Sequence, residues 1–532
     1  PAAKRTLSAG AVIGAKFSES LLDTLGVDPV VKDLVTGQFL DQITFTADPE
    51  FAFHHPLIRT VAYESQLKSD RAELHRKLAT AIAARDPATT DENAALIAEH
   101  LGAAGDLHAA YGWHMRAATW STFRDISASK TNWQQARQIA ERLPADDPNR
   151  LAMQIAPRAL HCVNTNRIGG TVADTEFDEL RDLCTAAGDM VSLAIAMTGK
   201  VMALTFNDRI TEAAQLATEC AALIESVSDP ALTVGLLPAA MQAKYHAGEA
   251  VDTLRLAQRV IDLADGDATV GNLAFGSPLA MALIYRGSAE ISLGMPGFRE
   301  HVDEAVATAR PENPSISATA VFYRYSCIAL GVYLPDDTAQ RDTVEALAIA
   351  EQFGDPLSLA LALLARGITL VHCDGPESEA GYDLLAEVRA MALAHQFALL
   401  AVPFVDIHTA LRKTQQGDVD GAIEVARAAL DNLIASGDGV YRGLATTTLV
   451  DAVLGRGTDA DIAEARAAID TLSAVPTEPG FVLNELPLLR MRAVLARAQG
   501  DDDAYRDFRD RYRKMANDLG FEGHMKWAQE MT

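Results

Sequence analysis

Gln416-Gly417-Asp418-Val419-Asp420-Gly421-Ala422 sits between two runs of helical periodicity, and its reading decides the fold. Glycine in second place can take the positive φ that ends one α-helix. The aspartate after it can cap the next helix, and a small residue follows where the two helices must touch. The phrase returns as Ala104-Gly105-Asp106-Leu107-His108-Ala109-Ala110, as Ala247-Gly248-Glu249-Ala250-Val251 and as Gln499-Gly500-Asp501-Asp502-Asp503-Ala504-Tyr505. From Gly417 to Gly457 to Gly500 the spacing is about 40 residues, the length of one helix–turn–helix unit with its loop. A chain written this way is a row of helical hairpins, each covering the apolar face of its neighbour.

The bulk composition agrees. A chain of 532 residues exceeds what one core holds, because cores stop growing near about 250–300 residues. Hydrophobic residues make up 49% and aromatics only 6%, a balance that suits closely packed, alanine-rich helices. Lys and Arg number 46 against 72 Asp and Glu, a net charge of −26. Such a surface repels phosphate backbones and anionic lipid, so neither nucleic acid nor membrane is expected as a partner. The acidity keeps a long array soluble. The longest apolar stretches, Leu359–Ala365 and Phe397–Val405, are too short to cross a bilayer. Cys162, Cys184, Cys220, Cys327 and Cys373 are odd in number and form no CxxC pair, which fits a reduced, cytoplasmic setting. The chain opens at Pro1 with no targeting pattern, which reads as a cut in a longer protein.

The array is similar to tetratricopeptide repeats, which carry the same "G-(D/N)-x-x-x-A" turn, although aromatics are missing from several repeats and the period drifts. The first 65 residues differ. Short helices are expected at Leu7–Ile13 and Ser18–Leu25, and a third runs from Asp28-Pro29 through Val31, Leu34, Val35 and Leu40. Alternation over Ile43–Phe53 around Asp48-Pro49 predicts a β-hairpin. Three helices and a hairpin outline a winged helix. The fold class expected is therefore all-α: a tetratricopeptide-like helical-hairpin solenoid with a small N-terminal winged-helix subdomain. Its divisions are 1–65, a helical linker with the first hairpins over 66–145, and the solenoid over 146–532. Leu67–Ala84 reads as an amphipathic helix with Leu74, Leu78 and Ile82 on one face, and Pro157 should kink or break the helix spanning Asn149–Asn164.

Motifs that carry chemistry are absent. There is no G-x-x-x-x-G-K-[ST], so no complete phosphate-binding loop. His54 and His55 are adjacent and their side chains diverge. His372-Cys373-Asp374 ends a helix without a ligand partner at helical spacing, and no metal is expected. His75, beside Arg76 and Lys77, reads as a solvated helix face. Gly287-Ser288 lies inside a helical run and lacks the second glycine of a nucleophile elbow. Glu99-His100 and Trp113-His114 read as packing residues.

Three phrases in the N-terminal segment carry a family resemblance: Ala11-Val12-Ile13-Gly14-Ala15-Lys16-Phe17, Phe53-His54-His55-Pro56-Leu57-Ile58-Arg59-Thr60-Val61-Ala62-Tyr63-Glu64-Ser65, and Arg71-Ala72-Glu73-Leu74-His75-Arg76-Lys77-Leu78-Ala79. Together they resemble the end of the nucleotide-binding module in actinobacterial STAND-type signalling ATPases, which continue into tetratricopeptide-like arrays. Such modules stand behind class III nucleotide cyclases or within large LuxR-type transcription regulators. The resemblance implies that residues 1–65 pack as a winged helix on an upstream ATPase domain in cis. It implies that ATP or ADP with Mg binds in that missing domain, with no cofactor in this fragment. His55 aligns with the histidine that touches nucleotide phosphates in related switch ATPases, although its neighbours His54 and Pro56 depart from the family phrase. Arg59 is the second candidate for contact with phosphate.

LuxR-type regulators end in a basic helix-turn-helix, whereas this chain ends in the acidic helical stretch Asp501–Leu519 and a short tail to Thr532. The expected function is a non-catalytic sensor and protein-interaction region of an ATP-dependent signalling protein controlling a nucleotide cyclase. The alternative is the effector-sensing region of a LuxR-type regulator. A protein or small-molecule effector is expected on the concave face, with Tyr245, Tyr285, Tyr323 and Tyr325 as candidates for lining a groove.

Overall fold

The structure, a computed structural model, describes residues 1–531 except Ala47, Phe123, 273–275, Asp374 and Thr477. The described residues form 27 α-helices and three short strands, divided into two compact units, Pro1–His161 and Cys162–Thr532.

The first unit opens with α1 (Ala2–Ile13), β1 (Lys16–Ser18), α2 (Glu19–Thr24), α3 (Val31–Thr36), β2 (Leu40–Gln42) and β3 (Glu50–Phe53). β3 lies between the other two strands, antiparallel to both, with Phe51 opposite Phe17 and Phe53 opposite Leu40. Alternation puts Phe51 and Phe53 on one face, where they bury against Phe17, Leu22, Leu34 and Leu40. Gly10 of α1 lies under the Phe17 ring, where a Cβ would fall 2.6 Å from a ring carbon. Asp48 accepts hydrogen bonds from Ser20 N (3.2 Å) and Ser20 Oγ (2.7 Å), tying the β2–β3 connection to α2. The expected hairpin is present with its first strand three residues early. Leu40, expected at the end of the third helix, belongs to β2, because α3 stops at Thr36. β1 was not expected: three residues are too short to show an alternation.

Helices α4 (Pro56–Glu64), α5 (Lys68–Arg85), α6 (Ala94–Ala104), α7 (Leu107–Ser121), α8 (Ile126–Arg142) and α9 (Arg150–Val163) follow. Leu74, Leu78 and Ile82 of α5 pack on the core of the strands. The N-terminal core thus extends past residue 65, and the divisions expected at 65 and 145 do not coincide with the compact units. α9 continues through Pro157, so the expected break is absent. His75 is not on a solvated face. It is buried under α6, between the Tyr63 hydroxyl (3.0 Å from Nε2) and the ring of His100 (Nδ1 to Nδ1 3.0 Å).

The second unit contains α10 (Phe177–Ala187), α11 (Met190–Phe206), α12 (Ile210–Val227), α13 (Pro230–His246), α14 (Ala250–Ala264), α15 (Pro278–Ser292), α16 (Phe298–Ala309), α17 (Pro314–Ala329) and α18 (Asp337–Phe353). It continues with α19 (Pro356–Val371), α20 (Glu377–Leu393), α21 (Ala401–Gln415), α22 (Val419–Ser436), α23 (Arg442–Arg456), α24 (Asp459–Ser473), α25 (Val482–Ala498), α26 (Asp502–Leu519) and α27 (Glu522–Glu530). Each helix packs on its neighbour in sequence. In the repeated turn Gly105, Gly248, Gly417 and Gly500 all take positive φ, and Asp418 and Asp501 cap their helices by accepting from Gly421 N (3.1 Å) and Ala504 N (3.0 Å), whereas Asp106 and Glu249 make no capping bond.

Two kinds of helix alternate. Even-numbered helices are amphipathic: α18 buries Ala339, Thr343, Ala346 and Ala350, one face at helical spacing. The odd-numbered helices α13, α15, α17 and α19 are buried nearly all round, as α15 is from Pro278 to Tyr285. The odd helices from α11 to α19 also pack on one another, as do α21, α23 and α25. They form the inner layer, and the even helices face outward.

The inner layer closes on itself. Phe206 O at the end of α11 accepts from Leu399 N (2.7 Å), just before α21. His246 O at the end of α13 accepts from Gly439 N (2.7 Å), just before α23. Gly294, just past α15, meets the side chain of Val482 at the start of α25. Gly331 O and Val332 O, past α17, accept from His524 N (3.1 Å) and Glu522 N (3.0 Å) of α27. Each contact joins a helix to one ten helices later, so about five hairpins make one superhelical turn and successive turns rest on each other.

Buried imidazoles make the fold sensitive to acid. Burial pushes His75 and His408 down to about 4, and His372 and His524 down to about 3. The unfolded chain takes up protons below about 6.5, while the folded chain resists them to lower pH. Stability is therefore full above that value and falls as pH drops, by about 1.4 kcal/mol per pH unit for each histidine held neutral. Denaturant midpoints followed by circular dichroism should fall between pH 6.5 and 4, and His524→Gln should flatten the slope. A midpoint independent of pH over that range would contradict this reading.

Candidate functional site

The last superhelical turn holds a partly open cavity of about 280 Å³. Its wall comes from the ends of the inner helices: Leu330 after α17, Val371 and His372 at the end of α19, Leu411 and Gln415 of α21, Leu444, Thr447 and Asp451 of α23, and Leu486 and Arg490 of α25. α27 closes one side with His524 and Trp527. That closure is firmly held. His524 Nε2 bonds to Leu330 O (3.1 Å), its Nδ1 to the Tyr512 hydroxyl (2.8 Å), and Gly331 (φ +68°) leaves room for the Trp527 ring, which a Cβ there would meet at 2.7 Å.

Most of the lining is apolar, and its polar groups are few. Asp451 and Arg490 form an ion pair across the wall, Nη1 to carboxylate 3.0 Å. The Tyr382 hydroxyl donates to Gln415 Oε1 (3.2 Å), and the hydroxyls of Thr447 and Thr448 turn back onto their own helix at Gly443 O and Leu444 O. An apolar enclosure with a few convergent polar groups is the usual form of a small-molecule site. None of these residues stood out in the sequence. The one readable signal was a charge inside an apolar inner run, as in Leu449-Val450-Asp451-Ala452-Val453 and Leu486-Pro487-Leu488-Leu489-Arg490-Met491.

The tyrosines expected to line a groove are inside. Tyr245, Tyr285, Tyr323 and Tyr325 are 5%, 0%, 7% and 4% exposed, and the reason is geometric: with five hairpins per turn the axis is narrow, and inner helices meet across it. Tyr245, Tyr285 and Tyr323 stack edge to face, with ring centroids 5.2–5.9 Å apart. A chain of hydrogen bonds runs from Tyr285 OH to Tyr323 OH (3.0 Å), on to His246 Nε2 (3.3 Å), and from His246 Nδ1 to Asp438 (3.1 Å). The other oxygen of Asp438 accepts from Val440 N and Tyr441 N, both at 3.0 Å. Burial, with the nearby Asp438 carboxylate, pushes Asp208 up to about 7, and one of its oxygens is buried without a partner. Tyr325 points elsewhere and donates to Asp342 (2.7 Å).

In the N-terminal unit, His55 caps α4 by accepting from Leu57 N at 3.1 Å, while His54 turns away to Asp41 (2.9 Å). Arg59 Nε donates to Ala11 O (3.3 Å). Of the His372-Cys373-Asp374 cluster, Asp374 lies outside the described residues, and the His372 ring packs edge-on against His408 at 5.7 Å. Among the described residues, no three His, Cys, Asp or Glu groups converge as a metal site would require. Burial pushes the thiols of Cys162, Cys220 and Cys327 up to about 12, which keeps them protonated and unreactive. His100 and His114 are buried packing residues, as expected. Among the described residues, no helix is long and apolar enough to cross a membrane.

No protein-family model matches the sequence, and no curated protein matches it. Solved structures with similar folds include a Rap protein complexed with competence and sporulation factor, at a TM-score of 0.43 and 11% identity over 79% of this chain and 99% of that one. A STAND protein with a tetratricopeptide repeat sensor from Pyrococcus horikoshii matches at 0.40 and 9% identity, with all of this chain spanning 65% of that one. The Cut9–Hcn1 hetero-tetramer of the APC/C matches at 0.40 and 13% identity, over 85% and 84% of the two chains.

The buried relay yields a test of packing. Asp438→Ala leaves His246 and two amides without an acceptor and should lower unfolding free energy by about 3 kcal/mol or more. Tyr323→Phe removes one hydroxyl and should cost about 1–2 kcal/mol. Denaturant titration of each variant checks the order, and equal costs would contradict the relay.

Proposed function

We propose that this chain is the non-catalytic sensor and interaction region of an ATP-dependent signal-transduction protein. The observation that carries the reading is the presence, in one chain, of a helical array holding a cavity and of an α–β–α–α–β–β unit with an uncovered apolar helix. In that unit α4 buries no residue fully, and Leu57, Val61 and the nearby Leu67 are each about two-thirds exposed. The element order is that of a winged helix, and an apolar helix face of this kind suits a neighbouring domain. On this reading the unit packs on an upstream nucleotide module in cis, which would hold ATP or ADP with Mg. His55 and Arg59, at the start and middle of α4, would stand at that contact. Effector binding to the array would bias the module, with a nucleotide cyclase as its output in a cytoplasmic protein. The array's acidity (net charge −26 for the chain) favours neither nucleic acid nor anionic membrane as partner.

Titration of Mg-ATP into the purified 532-residue chain tests this division of labour. No binding and no turnover are expected. Tight binding with hydrolysis would overturn the non-catalytic reading. In a longer protein that carries the nucleotide module, His55→Ala should change the rate of nucleotide release, and an unchanged rate would remove His55 from the switch.

A further inference from the structure

The ion pair in the cavity wall is oriented in a way that folding alone does not require. Asp451 engages only the Nη1 end of Arg490, at 3.0 Å. Among the described residues, no acceptor lies on Nε or Nη2, and neither nitrogen is a buried unpartnered atom. This Nε–Nη2 edge is the side of a guanidinium that takes a carboxylate through two parallel hydrogen bonds. The cavity wall supplies an apolar surface from Leu330, Val371, Leu411, Leu444, Leu486 and Trp527, while the Glu530 carboxylate and the Tyr512 hydroxyl also act on the Arg490 charge. The pair is partly exposed, and such pairs add little to stability. An open space the size of about nine waters costs packing energy as well. Neither feature helps the array fold, and both suit a ligand.

We propose that the cavity of the last superhelical turn binds a small monocarboxylate with an apolar body, its carboxylate on the free edge of Arg490 and its body against the leucines and Trp527. This deepens the sensor reading and rests on it for its biological role, while the binding chemistry stands on the cavity alone. Asp451 holds the guanidinium in place and competes with the ligand for it. The Arg490 side chain is 21% exposed and its partner 40%, in keeping with groups that line an opening. α27 is the wall element through which occupancy is felt, because His524 and Trp527 line the cavity while Glu522 N and His524 N bond to the main chain past α17.

The test uses three eight-carbon probes, octanoate, octanol and octylamine, titrated into the purified chain at neutral pH and followed by calorimetry and by tryptophan fluorescence. Octanoate should bind at least tenfold tighter than octanol, with octylamine weakest, and should change the emission of Trp527. Arg490→Gln should abolish the preference for octanoate. Asp451→Asn frees the guanidinium and should tighten octanoate binding several-fold. Thr447→Leu leaves both charges in place, fills part of the space and should weaken all three probes. If Arg490→Gln fails to fold, the opposite signs expected for Asp451→Asn and Thr447→Leu still decide the matter. Equal binding of the three probes, wild-type octanoate binding by Arg490→Gln, or weaker binding by Asp451→Asn would overturn the proposal. Octanoate binding that left ATP turnover unchanged in a longer protein carrying the nucleotide module would overturn the sensor reading and leave the ligand class standing.

Discussion

The second unit depends on one contact repeated along the chain: the ends of α11, α13, α15 and α17 rest on the starts of the helices ten places later. Main-chain groups make it at three of the four steps, at Phe206 with Leu399, at His246 with Gly439, and at Gly331 and Val332 with His524 and Glu522. A main-chain hydrogen bond contributes only about 1 kcal/mol net. Its importance here is geometric. It sets the number of hairpins per turn at about five, and that number sets how wide the axis is.

A narrow axis explains the interior. In the turns where inner helices meet, opposite side chains must fit together, so the space holds stacked tyrosines, Phe404 and the His246–Asp438 pair. His246 and Asp438, 192 residues apart in the chain, join layers as well as filling space. In the final turn α27 lies across one side, and a cavity remains between α27 and the ends of α17 to α25. The site is thus a product of how the array is wound, with its residues contributed by seven different helices.

That origin explains which parts were legible in the sequence. The hairpins were, because Gly417 with Asp418 is a local signal, and so were the amphipathic outer helices, whose apolar positions recur at helical spacing. The β1 strand was not, because Lys16–Ser18 shows no alternation of its own and pairs only through Phe51, far along the chain. His75 was misplaced because Arg76 and Lys77 beside it are charged, while its partner His100 lies on another helix. The four tyrosines were expected to line a groove and are buried, because their exposure depends on the number of hairpins per turn, which no short window contains. Arg490 and Asp451 stand 39 residues apart and look unremarkable singly; only the winding brings them together.

Amide hydrogen exchange, read by mass spectrometry on peptides spanning 397–401, 437–441 and 520–526, tests the stacked turns most directly. These segments lie in connections or at helix starts, where amides normally exchange within seconds to minutes if water reaches them. The closed winding predicts that Leu399, Gly439, Glu522 and His524 exchange as slowly as amides inside α13. Exchange of these amides at the rate of exposed loops would show an open array, and the cavity and its ligand chemistry would have no wall.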